Sequence, residues 1–395
     1  MSTGDAQYIK NLNRRILIEH VIKEQTLSRS DLARVTGLNK ATVSAQISKL
    51  IDDGIIRETK VGHIDSPGRK PILIEMNGQA GYSIGIDIDA NEFRFVFIDL
   101  KGKPIERKVV PIDQGDVDEI ISIIQYHLKP LIETYNESHK PIGLTGIAVG
   151  IHGIINSYDQ IVFTPNQKWQ YSNFKSKFEE VFNVPVVIDN NANLSAYGEQ
   201  VYYENIQDLF CITLYSGIGL GIINNSKIYR GYDGFAGEIG HMVVNPDGEL
   251  CSCGNKGCWE LYASERALRN RFNAKFGSMP QNPAEIFEKP KYESELDSYI
   301  QYLAIGLNNI INIFNPQRIV LNGAMINQNP EVIQSIERHL KSKINSYETI
   351  HLSHLGEFAC ALGGAALVLK NYLNINTLDF VEYEYFNSHE KSAWT

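Results

Sequence analysis

Cys251, Cys253 and Cys258 fall within eight consecutive positions, and His241 stands ten residues before the first of them. Three thiols and an imidazole make a Cys3His set, the donor set of tetrahedral zinc. Four protein ligands leave no position for a reactive water, so the expected ion is structural rather than catalytic. Gly254 and Gly257 permit the tight turn that aims several sulfurs at one point. Unrelated reduced cysteines and a disulfide are the alternatives. The spacing is close to that of known zinc sites, and nothing else in the chain points to an oxidising compartment.

A second chemistry lies at the other end of the chain. Lys40 to Asp53 reads as a helix with an apolar stripe of Val43, Ile47, Leu50 and Ile51. Opposite that stripe stand Thr42, Ala45, Gln46 and Lys49, with Lys40 and Ser44 near the helix start. These are small or hydrogen-bonding groups suited to base edges and phosphates. The helix carries no acid except the two Asp at its end.

The elements that must hold this face precede and follow it. Ile9, Leu12, Ile16, Leu17 and Val21 recur at helical spacing and predict a first helix. Ser28 and Gly37 bound a short second helix, Leu38-Asn39 makes a turn, and Asn39 can cap the third helix. Helix, Gly-containing turn and helix form the helix-turn-helix pattern. A plain three-helix bundle has the same helices; the polar face is what points to DNA. Ile55–Thr59 and Ile72–Met76 read as two strands of a wing. In the loop between them, Arg69 and Lys70 either reach into a minor groove or ride on a solvated loop.

From Gly81 strands alternate with helices: strands at Tyr82–Ile88, Phe93–Asp99, Lys108–Pro111, Gly146–His152, Pro185–Asp189, Leu209–Tyr215 and Arg318–Asn322, and helices at Asp118–Tyr135 and Gln301–Phe314. That order is an α/β pattern. Hydrophobic content of 43% and charged content of 21% fit a soluble globular protein of two or three domains. No apolar run approaches the ~20 residues that span a bilayer, and the polar first residues are unlike a signal peptide. The expectation is a cytoplasmic chain without membrane contact. The net charge of −9 is uneven: residues 1–75 hold 12 Lys and Arg against 9 Asp and Glu, the remainder 25 against 37. A mildly basic head on an acidic body suits a DNA-reading module fused to something else.

Gly237-Glu238-Ile239-Gly240-His241 followed by Cys251-Ser-Cys253-Gly-Asn-Lys-Gly-Cys258-Trp-Glu260 resembles the signature of the ROK family of repressors, open reading frames and kinases, over about residues 80–395. The resemblance implies a winged helix-turn-helix plus a two-lobed actin/hexokinase-like α/β body with a zinc knuckle. The domains expected are 1–76 for the DNA-binding head, 77–190 for the first lobe with the C-terminal helices from about 370–395, and 191–369 for the second lobe. It assigns sugar contacts to Gly153, Asn166, Asn190, Asn191, Glu238, His241 and Glu260. One imidazole can serve both metal and sugar, since its two nitrogens are distinct.

Against the family's kinases the chain departs in three places. Asn191 stands where they carry the catalytic aspartate, and an amide cannot take a hydroxyl proton. Asp87-Ile88-Asp89-Ala90-Asn91 replaces the Asp-x-Gly-Gly-Thr phosphate loop, adding a carboxylate that repels phosphate. Val320-Leu321-Asn322-Gly323-Ala324 has lost a glycine of the adenosine motif. Ser216-Gly217-Ile218-Gly219-Leu220-Gly221 alone still looks like a phosphate loop, and a lone Gly-rich loop is a weak signal. Gly37 to Ser44, Val162 to Asn166 and Cys258 to Glu265 resemble the family's xylose-responsive repressors. The resemblance therefore implies a kinase-dead, sugar-responsive repressor; the alternatives are an active ROK sugar kinase and a repressor that responds to another sugar. The expected partners are a palindromic operator and xylose as effector, with assembly as a homodimer or dimer of dimers.

Overall fold

Only the second half of the first helix buries its apolar side, and the fold starts from that asymmetry. The computed structural model describes residues 6–59, 71–280, 282 and 285–383. Helix α1 (Ala6–Glu24) buries Leu17, Ile18, Val21 and Ile22. Ile9 and Leu12, expected on the same apolar face, are exposed.

Helix α2 (Arg29–Thr36) begins with a reciprocal capping box between Ser28 and Asp31 and ends at Gly37 with φ +70°. Helix α3 (Lys40–Asp52) begins at Asn39, whose side chain accepts from the Thr42 N–H at 2.8 Å. Each cap satisfies a backbone donor that the first helical turn leaves without a partner. Strands β1 (Leu27–Ser28), β2 (Ile56–Thr59) and β3 (Leu73–Met76) form a small antiparallel sheet in the order β1-β3-β2. Arg69 and Lys70 lie outside the described residues.

The chain divides into two units: Met1–Asp189 with Val201–Asn205 and Ala361–Thr395, and Asn190–Gln200 with Ile206–Cys360. In the first unit, β4 (Gly81–Ile88), β5 (Glu92–Asp99), β6 (Pro104–Pro111), β7 (Gly143–Ile151) and a later strand at Val186–Asn190 build a five-stranded sheet. Strands β4, β5 and β6 form an antiparallel meander, while β7 runs parallel to β4. All eight residues of β4 are buried, as expected of a central strand covered on both faces. Helix α4 (Val117–Ser138), opened by an Asp116–Glu119 capping box, buries Ile120, Ile121, Ile124 and Leu128 against Phe93, Phe95 and Phe97. Strand β6 and helix α4 are both longer than the apolar pattern predicts.

Strands β8 (Ile154–Ile155), β9 (Ile161–Phe163) and β10 (Gln170–Ser172) form a separate small sheet. Helix α5 (Phe174–Phe182) leads into β11 (Val186–Asn190). Helix α6 (Asn191–Tyr202) then opens the second unit. Its sheet has the order β14-β13-β12-β15-β16, built from β12 (Leu209–Thr213), β13 (Gly219–Asn224), β14 (Lys227–Ile228), β15 (Arg318–Asn322) and β16 (Thr349–Leu352). Between β14 and β15 lie α7 (Glu260–Ala263), α8 (Glu265–Phe276), α9 (Glu285–Glu288) and α10 (Glu293–Phe314). Helix α11 (Val332–His339) precedes β16, and α12 (Ala359–Leu373) follows it. Helix α10 is eight residues longer at its start than the sequence pattern predicts. It buries Leu303, Leu307, Ile310 and Ile311 in the same core as Trp259 and the inner residues of β12 and β15.

The DNA-binding head belongs to the first unit, and polar contacts tie it to the body of that unit. The Asn77 N–H donates to the Ile55 carbonyl at 2.8 Å and its side-chain amide to the Gly54 carbonyl at 3.0 Å. Glu75 of β3 bridges Arg57 of β2 and Lys101 of the body. Arg15 and Glu19 of α1 meet residues 374–377, the segment after α12.

Candidate functional site

The side chains of His241, Cys251, Cys253 and Cys258 converge so that their ligand atoms all lie within 4.8 Å of one another. Cys251 Sγ is 3.6 Å from His241 Nδ1, and Cys253 Sγ is 3.6 Å from Cys258 Sγ. Zinc–sulfur bonds of about 2.3 Å in a tetrahedron imply edges of roughly 3.8 Å, so the donor set fits a tetrahedral ion. Burial pushes the Cys251 thiol up and, with its two neighbouring cysteines, takes Cys258 to about 12; a backbone N–H at Asn255 holds Cys253 down. Two crowded thiols that resist ionising, Cys251 and Cys258, are what a divalent cation would compensate.

The turn that gathers them is glycine-dependent. Gly257 has φ +71°, and a Cβ there would meet the Asn245 carbonyl oxygen at 1.6 Å. The far end of the loop is pinned by Trp259, fully buried, whose indole N–H donates to the Tyr302 carbonyl of α10 at 2.7 Å.

Glu260 follows directly. It is buried, with Oε1 3.5 Å from Cys251 Sγ, 4.0 Å from His241 Nδ1 and 3.7 Å from Arg266. Glu238 is half-buried, and burial raises its carboxyl pKa, against the pull of His241 and with the push of Glu260. Asn190 and Asn191 stand at the start of α6 in this same unit. Asn190 Oδ1 accepts from the Ala192 N–H at 2.8 Å, and the Asn191 carbonyl accepts from Ser195 Oγ at 2.8 Å. The Gly-rich stretch is only partly a loop: Gly219 and Gly221 are ladder residues of β13, opposite Thr213 and Cys211. A Cβ on Gly221 would come 1.9 Å from the Ala192 carbonyl oxygen, so this glycine lets α6 lie against the strand.

Gly153 and Asn166 lie in the first unit. A Cβ on Gly153 would meet the Phe163 carbonyl oxygen at 2.4 Å. Asn166 lines a small pocket with Asp89, His152, Thr164, Gln167 and Trp169. Its volume of about 10 Å³ has room for about one water. Beside it is an ion cluster that sequence reading missed. His152 Nε2 lies 3.0 Å from Asp87 and Nδ1 3.6 Å from Asp89, while Arg94 lies 3.7 Å and 3.8 Å from the same two carboxylates and also contacts Glu92. Burial opposes charge on His152, yet Asp87 and Asp89 outweigh it and raise its pKa. A signal was present: Asp87 and Arg94 are direct partners across the β4–β5 pairing. The added carboxylate at Asp89 is therefore held between the Arg94 guanidinium and the His152 imidazole.

On the head, α3 exposes Lys40, Ser44, Ala45 and Lys49, with Thr42 half-buried. Gln46 departs from the expected outward face. It is buried, and its amide donates to the Lys10 carbonyl of α1 at 3.1 Å, because α1 packs against that side of α3. On the other side Arg29 donates to Ser48 Oγ at 3.2 Å and pairs with Glu58 at 3.1 Å.

Residues 83–371 match the ROK family, and residues 10–57 match the family described as winged helix-turn-helix DNA-binding. The chain is 35% identical over 393 residues to the xylose repressor of Bacillus subtilis, covering 96% of this chain and 100% of that protein. It is 37% identical to the xylose repressor of Bacillus spizizenii, covering 95% and 99%. A solved structure of a ROK family transcriptional regulator, a homolog of the E. coli MLC protein, superposes with a TM-score of 0.78. It is 23% identical and covers 93% of this chain and 97% of that one. The chain is a member of the ROK family, with a winged helix-turn-helix at its head and a mixed α/β body of the actin/hexokinase-like kind.

Proposed function

We propose that this protein is a DNA-binding transcriptional repressor of xylose-utilisation genes, released from its operator by bound xylose. The observation that carries the reading is the joining of a winged helix-turn-helix to a ROK body in one chain that aligns over nearly its whole length with xylose repressors. Lys40, Thr42, Ser44 and Lys49 meet DNA; Gln46 ties the recognition helix to α1. On the second unit Asn190, Asn191, Glu238, His241 and Glu260 supply hydroxyl-binding groups, with acceptors and donors mixed as a sugar requires. The repressor acts as a homodimer on a palindromic site, and xylose binds the DNA-incompetent state more tightly; without that difference it could shift nothing.

The body is kinase-dead in this reading. Asn191 offers an amide where phosphoryl transfer needs a base. Asp89 puts a second carboxylate into the turn where a phosphate cradle needs glycine. A pentose also lacks the C6 hydroxyl that a hexose 6-kinase would deprotonate. The ion held by His241, Cys251, Cys253 and Cys258 is structural Zn2+, which fixes the loop carrying His241 and Glu260. Calorimetric titration with xylose, glucose and N-acetylglucosamine tests the reading. Selective xylose binding is expected; binding of another sugar moves the regulated pathway, and turnover with ATP and any of the three would sink the kinase-dead assignment.

A further inference from the structure

The face of the recognition helix is not bounded by α3 alone. Ala6, Ile9, Lys10 and Asn13 recur at helical spacing along the first turns of α1, and Thr42, Ala45, Gln46 and Lys49 do the same on α3. Together they line one groove of about 380 Å³. Its floor is the buried Gln46, whose amide is tied to the Lys10 carbonyl. Each bank carries one exposed lysine, Lys10 on α1 and Lys49 on α3, and no acidic residue lines the groove. This stripe of α1 continues past the helix core, which begins only at Leu17.

We infer that the N-terminal half of α1 is a second DNA-contacting element, with Lys10 and Asn13 seated on the phosphodiester backbone that borders the groove occupied by α3. The inference rests on the DNA-binding reading above. An α-helix fills the ~12 Å width of a major groove, so a neighbouring helix held along its flank meets the sugar-phosphate edge rather than the bases. The lining chemistry agrees: a cation and a neutral amide suit phosphate oxygens and carry no sequence information. Gln46 is then a positioning residue, since its bond to Lys10 sets the distance between the two helices. Ile9, left exposed on the same stripe, would be covered by the edge of the duplex.

The experiment uses the full-length protein and a random-sequence duplex about three helical turns long, titrated at several salt concentrations. Backbone contacts act without regard to sequence, so the operator is not needed. Lys10→Ala keeps a good helix former, and circular dichroism checks the fold. It is expected to weaken binding several-fold and to lower the slope of log affinity against log salt by about 0.9, the value for one phosphate contact. Asn13→Ala should weaken binding with no change in slope. Lys49→Ala reports on the underlying reading. If Lys49→Ala lowers the slope and Lys10→Ala does not, α1 is not part of the interface and the inference is overturned while DNA binding by α3 stands. If the wild type binds no duplex, both fall. If Lys10→Ala changes the sedimentation coefficient but not the slope, the groove receives a second copy of the chain and the inference is again overturned.

Discussion

Arg15 of α1 donates its Nε–H to the carbonyl of Asn374 at 2.9 Å, joining the helix that braces the recognition helix to the segment that follows α12. One turn on, Glu19 accepts the Asn376 N–H at 2.7 Å and the Thr377 N–H at 3.3 Å. The head is thereby fastened to its unit through α1 as well as through the β2–β3 wing.

If the sugar signal passes to DNA through that junction, removing it should separate binding from release. The double variant Arg15→Ala/Glu19→Ala should keep sugar-free operator affinity within a few-fold. The shift in affinity caused by sugar should shrink at least about fivefold, the equivalent of roughly 1 kcal/mol of coupling. Operator titrations with and without xylose read both quantities; an unchanged shift would place the signal elsewhere.

Cys253 is the one exposed thiol of the cluster, so its loss removes a candidate metal ligand without emptying a core position. Cys253→Ser should lose bound zinc, measured by atomic absorption. It should also lower the unfolding temperature by more than about 4 °C, a shift that corresponds to roughly 1–2 kcal/mol in a unit of this size. Chelation of the wild type should reproduce the effect. A variant that keeps sugar response after losing its metal would remove the zinc loop from the sugar site.

Gly306 lies under the indole of Trp259, and a Cβ there would stand 2.0 Å from Trp259 Cε2. Gly306→Ala should therefore push Trp259 off α10 and cost about 1–3 kcal/mol, as overpacking does. Because Trp259 sits between Cys258 and Glu260, sugar affinity should fall with stability. Denaturant melts and calorimetry on the same variant check the pair.

His152 predicts a pH dependence of known sign. Its folded pKa lies above the ordinary 6.5, so its pairing with Asp87 and Asp89 stabilises fully below pH 6.5 and fades as pH rises through the folded value. Wild type should lose stability relative to His152→Gln over that rise and not below it. Thermal melts across pH 5.5 to 9 are the measurement (roughly one unit below the unfolded pKa to well above it). Parallel curves for the two proteins would mean the imidazolium is not held by those carboxylates.

On the proposed kinase-dead reading, Asn191→Asp supplies a carboxylate where a kinase base is expected but leaves Asp89 held by Arg94 and His152. No sugar-dependent ATP consumption is expected from the single variant in a coupled assay. Turnover would show that one amide was the only obstacle to catalysis.

What could be read from the sequence was short in range. Ser28, Gly37 and Asn39 act across three or four residues, so their spacing alone foretold where α2 begins and ends and where α3 begins. Cys251, Cys253 and Cys258 share one turn for the same reason, and His241 joins them through a brief connection. The ends of α4, α10 and β6 were less legible, because exposed polar residues extend an element without any apolar period to mark it.

Only the tertiary structure decided the rest. Gln46 reads as an outward polar group until α1 is laid across it. Ile9 and Leu12 read as core, yet the fold leaves both exposed. Gly219 and Gly221 read as loop, yet they are strand, spared a side chain so that α6 can approach. Asp87, Arg94 and His152 are brought together by strand register, and Arg15 meets Asn374 across almost the whole chain. Each of these depends on which surface a neighbouring element covers, and that is set by packing between distant segments rather than by local residue preference.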